Sequence, residues 1–551
     1  MKKTSTKITL ALLLLAWLLP GLVGRGPWMS DEPYSLGLVN HILKTGDWVV
    51  PTLAGEPFME KPPLYYVTAA ALAKLASPPL AVHDAVRLAS GLYMLLTLLF
   101  FGLSARELLG DDFVSSALLL LLGSAALQLT AHKLITDVAL LSGFAASLYG
   151  LALCKRRPDL GGFWIGTGVG IGFLSKGLLA PGVIGVTALL LPLIFQQWRS
   201  RDYLRSLLIA LAAALPWLIV WPVLLYRRSP ALFTEWFWFE NIGRFIGFYQ
   251  GGKPHALAGF KNLEMRRLAL PVLPLAAWSF WHSRRSWRAM PLFQLSTTSF
   301  LVLFLVLGFS SNTRSLYTLP MLLPLALMAA AGVDALPGKA ARAATRLNLL
   351  LFGSFAALLW FGWIVILSGH PALAAQKASH LYGESAPQFS VVRFVAALFC
   401  TAVGLFAWSV LARQGRQVIA SWTVGITLAW GLGMTLWLPA IDARLGSEAV
   451  FTSLKEALPT GFQCVASRNL GENERALVEY YTGIDTKRME VNDRAGCDLL
   501  LLEIDDDAPA PKPDGRLLWE RTKTVPDLKQ TFRLYQKTDR LLPFFPSHRD
   551  A

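Results

Sequence analysis

"ITLALLLLAWLLPGLVGRGPWMSDEP", residues 8–33, carries no charge from Ile8 to Val23 and then meets two adjacent carboxylates, Asp31 and Glu32. Lys2, Lys3 and Lys7 precede the run, which gives it the outline of a secretory leader. No small-x-small cleavage site follows cleanly, however, and similar apolar runs recur along the chain as far as residue 440. The stretch therefore reads as the first of many membrane spans, with the acidic pair at its first exit to water.

The totals agree. Of 551 residues, 54% are hydrophobic and only 16% charged, against about 25% charged in soluble domains. A net charge of +15 invites a nucleic-acid reading, but the basic residues sit in short loops between apolar runs. That is the pattern that orients membrane helices, so no nucleic-acid partner is expected.

A bilayer core needs about 20 apolar residues per helix. Thirteen candidate segments lie at roughly 8–24, 86–105, 113–131, 136–154, 162–176, 178–196, 206–225, 268–282, 291–309, 316–333, 347–368, 389–411 and 417–440. Alternate loops hold Lys155-Arg156-Arg157, then Arg199, Arg201 and Arg205, then Arg284, Arg285 and Arg288. Lys339, Arg342 and Arg346 follow, and finally Arg413 and Arg416. These fall on the side of the N-terminal lysines, which positions that side in the cytoplasm. Arg227 and Arg228 run against the rule. An odd number of spans sends the C-terminal tail to the periplasm.

Residues 1–440 thus read as a polytopic α-helical domain whose first external loop, about 24–85, contains interfacial helices. Residues 441–551 read as a small α/β domain, since "FQCVAS", "CDLLLLEI", "GRLLWERT" and "TFRLYQKT" alternate with helix-like "SEAVFTSLKEAL" and "ENERALVEYY". Cys154 and Cys400 lie in spans as packing residues. Cys464 and Cys497 share the external domain, where two cysteines without geometry do not establish a disulfide. No zinc spacing, GxGxxG or P-loop occurs.

The external face collects opposite charges. Asp31, Glu32, Glu60, Asp137 and Glu240 are carboxylates at or near external span ends, and Lys61, Lys133, Lys176, Arg244 and Arg314 are cations at the same depth. Ionisable groups beside spans are expensive and are functional candidates. Clustered cations suit a phosphate; a carboxylate beside them suits a hydroxyl or an attacking nucleophile. Each residue has a plainer reading as well. Asp31 and Glu32 would favour the first turn of an interfacial helix that Ser30 caps. Lys176 would snorkel from a turn. Asp137 would satisfy a helix start, and Trp236 to Phe239 would form an interfacial belt.

In order along the chain, "DEPYSLGLVNHILKTGDWVVPTLAGEPFMEKPPLYY" (31–66), "TDVAL" (136–140), "GFLSKG" (172–177), "ENIGRF" (240–245) and "RSLYTLPMLLP" (314–324) resemble the bacterial aminoarabinose transferase family. That family is related to the protein O-mannosyltransferases and has the GT-C architecture. The resemblance covers the whole membrane portion. It implies a GT-C fold and a glycosyltransferase, without a required cofactor, that uses a polyprenyl phosphate sugar as donor at the periplasmic face of the bacterial inner membrane. The acceptor it implies is lipid A or another envelope glycan. Asp31 is then the lead catalytic carboxylate, with Asp137 and Glu32 as further acids. Lys61, Lys176, Arg244, Tyr317 and Arg314 would hold the donor phosphate, and Tyr34, Glu60, Tyr65 and Glu240 would line the substrate pocket.

Three positions depart from the pattern. Pro33-Tyr34-Ser35 stands where relatives carry Thr-Arg-Tyr, Phe239 where they often carry His, and Asn312 where they often carry Lys. They leave the sugar and acceptor open. A divalent metal is open too, with Glu60 and His255 as its candidate ligands. Two rivals stand beside the leading reading: transfer to protein serine or threonine, and a lipid-phosphate transporter or flippase. The second would be favoured by inverted repeats, and none is visible.

Overall fold

The computed structural model describes residues 2–28, 30–247, 270–310, 314–373, 376, 388–414, 416–491, 496–505, 513–525 and 528–537. Within them each of the thirteen apolar segments is helical. The first is α1 (Lys2–Leu18), followed on one face of the bundle by α2 (Glu32–Thr45), a two-strand hairpin of β1 (Thr52–Leu53) and β2 (Glu56–Pro57), and α3 (Leu64–Ala76). Next come α4 (Val82–Leu109), α5 (Asp111–Leu122), α6 (Ala125–Thr130), α7 (Thr136–Leu153), α8 (Pro158–Lys176), α9 (Leu179–Ile194) and α10 (Arg201–Arg228). A short α11 (Pro230–Thr234) runs into a π-helical turn, Glu235–Gly243. The remaining membrane helices are α12 (Val272–His282), α13 (Pro291–Phe309), α14 (Leu322–Gly332), α15 (Gly338–Ser368), α16 (Val391–Leu411) and α17 (Gln417–Leu436).

Among the described residues eight helices are long and apolar enough to cross a membrane, including α4, α7, α10, α13 and α15 to α17. Of the others, α9 has 16 residues where the sequence pattern suggested 178–196, and α1 ends at Leu18, before the expected 24. Packing sorts them. α7 is central and almost wholly buried, whereas α10 and α15 expose most of their length, as helices facing lipid do. Glycines let α8 lie against α7: a side chain at Gly143 would meet the Gly168 carbonyl at 2.6 Å and the Gly172 nitrogen at 2.8 Å.

The basic loops pair among themselves at one end of the bundle, with Arg416 on Asp334 at 2.8 Å and Arg156 on Glu107 at 3.1 Å. At the other end Arg228, one of the two that broke the charge rule, is held by Asp47 of the first loop at 3.3 Å.

The C-terminal domain follows α18 (Leu438–Leu445) and contains α19 (Glu448–Ala457), α20 (Glu472–Thr482) and a five-stranded sheet. Its strands are β3 (Val465–Arg468), β4 (Lys487–Arg488), β5 (Leu499–Asp505), β6 (Arg516–Val525) and β7 (Leu528–Gln536), in the order β4-β3-β5-β7-β6. β3 runs parallel to β4 and β5, while β7 is antiparallel to β5 and β6. Leu499 and Leu501 face Phe451 and Leu477 of the helices, and Leu500 and Leu502 pack on the other side with Met489. Cys464 and Cys497 are joined as a disulfide, with Cα atoms 4.9 Å apart, which settles a pairing that spacing left open.

Candidate active site

The acidic pair divides at the start of α2. Glu32 is buried and clamped: Arg25 donates to both its oxygens at 2.6 and 2.7 Å, and the backbone N–H groups of Trp28 and Leu134 donate at 2.7 and 2.9 Å. Burial alone would raise its pKa, but the Arg25 guanidinium reverses this and holds the carboxyl at about 2. With its lone pairs occupied, Glu32 ties the first loop to the segment before α7. Glu32, expected among the catalytic acids, thus has both oxygens engaged by Arg25 and two backbone N–H groups, unlike Asp31.

Asp31 occupies the N-cap position, yet its side chain makes no cap bond; its Oδ1 lies 3.3 Å from Nη1 of Arg314. Ser30, the expected cap, is exposed in the preceding turn.

The second acid, Asp137, stands in the first turn of α7 and accepts from Lys176, the last residue of α8. The Lys176 ammonium also lies 3.7 Å from the centroid of the Tyr317 ring, a cation–π contact. Lys61 is buried and donates to the Tyr34 hydroxyl, while the Tyr34 ring stacks on Phe58 at 5.5 Å. Burial opposes the charge of Lys61, but Tyr66, Glu60, Asp31 and Asp137 outweigh it and raise its pKa. Burial pushes the Tyr34 hydroxyl well above its usual range, aided by Asp31, Glu60 and Asp137, so it stays protonated.

Arg244 bridges two carboxylates, Glu60 at 2.8 Å and Glu240 at 3.2 Å. Burial would raise the Glu60 pKa, and Arg244 reverses it to a net lowering. The π-helical turn presents Glu240 and Asn241 to this side, and π-type turns often occur at functional positions. Trp236 anchors it, buried edge-on against Trp221 at 4.8 Å, while Trp238 and Phe239 are exposed. The aromatic run is thus part core and part exposed face. Asn241 accepts from the Leu178 N–H at 3.1 Å, directly after Gly177. Asn241 lies within the "ENIGRF" motif, but only its contact with Leu178 shows what it holds.

Part of this cluster lines a cavity of about 360 Å³, while Tyr34 and Asp137 stand behind Lys61 and Lys176, the lining residues they contact, and the Asp31–Arg314 pair lies outside the lining. Its polar end is formed by Glu60, Lys61, Lys176, Glu240, Arg244 and Tyr317. Its apolar end is formed by Leu179, Val183 and Val186 of α9 with Val306 and Leu307 of α13. Of the expected pocket residues, Glu60 and Glu240 line the cavity and Tyr34 and Tyr65 do not: Tyr34 is buried behind Lys61, and Tyr65 is fully buried with its hydroxyl 2.6 Å from Ser90 Oγ in the helix core. Four cations (Lys61, Lys176, Arg244, Arg314) and four carboxylates (Asp31, Glu60, Asp137, Glu240) converge here and balance one another. An anion entering must compete with the carboxylates for the cations.

The metal candidates do not come together. Glu60 is engaged by Arg244, and His255 lies outside the described residues. Among the described residues no three His, Cys, Asp or Glu side chains converge as ligands would.

Comparison with known proteins places this site in a family. Residues 60–226 match the dolichyl-phosphate-mannose-protein mannosyltransferase family. The chain is 31% identical over 459 residues to the undecaprenyl phosphate-alpha-4-amino-4-deoxy-L-arabinose arabinosyl transferase of Pseudomonas aeruginosa strain UCBPP-PA14, covering 78% of this chain and 75% of that one. The enzyme of the same name from Pseudomonas savastanoi pv. phaseolicola is 27% identical over 467 residues, covering 81% and 78%. In fold the chain resembles the crystal structure of ArnT from Cupriavidus metallidurans bound to undecaprenyl phosphate, with TM-score 0.68 and 16% identity over 96% of this chain and 97% of that one. A match of 31% identity that takes in more than three quarters of this chain settles the family: the chain belongs to the undecaprenyl phosphate-alpha-4-amino-4-deoxy-L-arabinose arabinosyl transferase family of membrane glycosyltransferases.

Proposed function

We propose that this protein moves a sugar of the 4-amino-4-deoxy-L-arabinose class from undecaprenyl phosphate to an envelope acceptor, lipid A, at the periplasmic face of the inner membrane. The observation that carries the reading is the two-ended cavity, with cations at its polar end and α9 and α13 side chains at its apolar end. One end suits a phosphate and the other the first isoprene units of a lipid. The basic loops at the opposite end of the bundle support a cytoplasmic N-terminus and a periplasmic C-terminal domain. In this scheme residues 1–440 hold the catalytic machinery and residues 441–551 cover it from the periplasm.

In transfer, the acceptor oxygen attacks the anomeric carbon from the face opposite the phosphate, with inversion. The carbon–oxygen bond to the phosphate breaks, and its electron pair stays on the lipid phosphate. Lys61, Lys176 and Arg244 stabilise the charge that grows there, with the Tyr317 hydroxyl and Arg314 beside them. As the phosphate takes Lys176 and Arg314, Asp137 and Asp31 lose their present partners. One then orients the attacking group, accepting its proton where the acceptor is a hydroxyl, and both stabilise the oxocarbenium-like sugar. The donor brings its own ionised leaving group, and protein cations neutralise it, so no nucleotide or redox cofactor is needed. With Glu60 committed to Arg244, no step is routed through a metal.

Lipid and glycoprotein mass spectrometry of wild-type and deletion strains tests the reading. Loss of an aminopentose-modified lipid A supports it. Loss of a protein glycan instead would favour the second reading, transfer to serine or threonine, which the mannosyltransferase family match keeps in view.

A further inference from the structure

The N-terminus of α2 is capped by the wrong residue. The first N–H groups of a helix have no partner within it, and an N-cap aspartate ordinarily accepts from the second or third of them. Here Asp31 is the N-cap, and the second helical residue is Pro33, which has no N–H. The Tyr34 N–H is therefore the one such donor within reach of an N-cap side chain. Asp31 does not take it. The acceptor is Oδ1 of Asn473, in the first turn of α20 in the C-terminal domain, at 3.3 Å.

This contact belongs to a continuous pairing of the two helices. Tyr34 meets Asn473, and Asn40 meets Glu479 at 3.2 Å, each at a separation of 439 residues. Gly37 lies between them, where an added Cβ would be 2.9 Å from that of Ala476. α2 and α20 thus run parallel and in register, and Lys44 closes the pairing on Glu479 at 2.7 Å.

We infer that Asn473 is a positioning residue for transfer: by capping α2 from another domain, it leaves the Asp31 carboxylate turned to Arg314 instead of to its own helix. This rests on the proposed role of Asp31 in the reaction. Without the Asn473 oxygen, the Tyr34 N–H would draw Asp31 back as a local cap. That conformer removes the carboxylate from Arg314 and from the reacting group.

The test uses the full chain in nanodiscs with an undecaprenyl phosphate sugar donor. N473A should lower kcat roughly fivefold to tenfold, the factor a single helix cap is worth, and leave donor KM within about twofold. N473D, which keeps the accepting oxygen, should stay near wild type. An N473A enzyme with wild-type kcat overturns the inference, as does an N473D enzyme that loses as much as N473A. Cryo-EM of N473A gives an answer independent of activity. Asp31 within hydrogen-bond reach of the Tyr34 N–H supports the inference; Asp31 still on Arg314, or a shifted α2–α20 register, overturns it. A wild-type enzyme that transfers nothing from this donor overturns the proposed function instead.

Discussion

Lys176, the last residue of α8, donates to the Asp137 carboxylate in the first turn of α7, so a proposed phosphate ligand and a proposed catalytic acid hold each other. The two roles make opposite demands on substitution. Asp137→Asn removes the anion that competes with phosphate for Lys176, and affinity for undecaprenyl phosphate should rise severalfold. Transfer should nonetheless fall by about 10²-fold or more if the carboxylate acts on the reacting groups. Binding by native mass spectrometry and turnover in nanodiscs give both numbers. A parallel loss of the two would mean that Asp137 only orients the lysine.

Asp31 and Arg314 invite a similar separation. The Arg314 side chain is 60% exposed and its partner only 10%. Arg314→Gln should raise donor KM and lower the melting temperature modestly, because the guanidinium itself lies largely in water but its loss leaves the buried Asp31 carboxylate without its ion-pair partner. Asp31→Asn should do the reverse to the kinetics, abolishing transfer with donor binding retained. Full modification of the acceptor in a strain carrying D31N would remove Asp31 from the mechanism.

Glu32 should behave as a stability residue despite its neighbour. Its folded pKa of about 2 lies below the usual 4.5, so its contribution is fully present above pH 4.5 and is lost as pH falls through about 2. The shift corresponds to about 3 kcal/mol. Glu32→Gln breaks the Arg25 pair and leaves a buried guanidinium uncompensated, a change that costs about 3–5 kcal/mol. Thermal melts should show E32Q much less stable at pH 7 and less sensitive to acid than wild type between pH 5 and 2. An E32Q protein as stable as wild type but inactive would restore the catalytic reading.

The contrast between Asp31 and Glu32 marks where sequence reading stops. Apolar length, alternating basic loops and ordered short motifs were enough for the bundle and the family. They also brought Lys61, Lys176, Arg244 and Tyr317 to one cavity end before any geometry was known. The function of a carboxylate, by contrast, depends on its partner, and Glu32 finds one in a backbone N–H 102 residues away. Tyr65 and Tyr34 look alike as sequence, yet one closes on Ser90 and the other on Lys61. Asn473 gave no signal, because its task exists only once two domains lie side by side. Asn241 did carry one, a polar residue beside Glu240 within a quoted motif.

Gly177 gives the last prediction. Its φ is +67°, which side-chain-bearing residues avoid, and an added Cβ would overlap Oδ1 of Asn241. That same oxygen accepts from Leu178 and fastens the π-helical turn carrying Glu240 beside the end of α8 carrying Lys176. Gly177→Ala should therefore act in two ways: about 1–3 kcal/mol of backbone strain, and displacement of the turn that supports Arg244. Donor KM should rise along with the fall in stability. Asn241→Ala removes the overlapping atom, so G177A/N241A should be less impaired than the two single effects combined, with a coupling of about 0.5–3 kcal/mol. Strict additivity in KM would show that Gly177 serves the turn after α8 alone and does not hold the two phosphate-binding elements together.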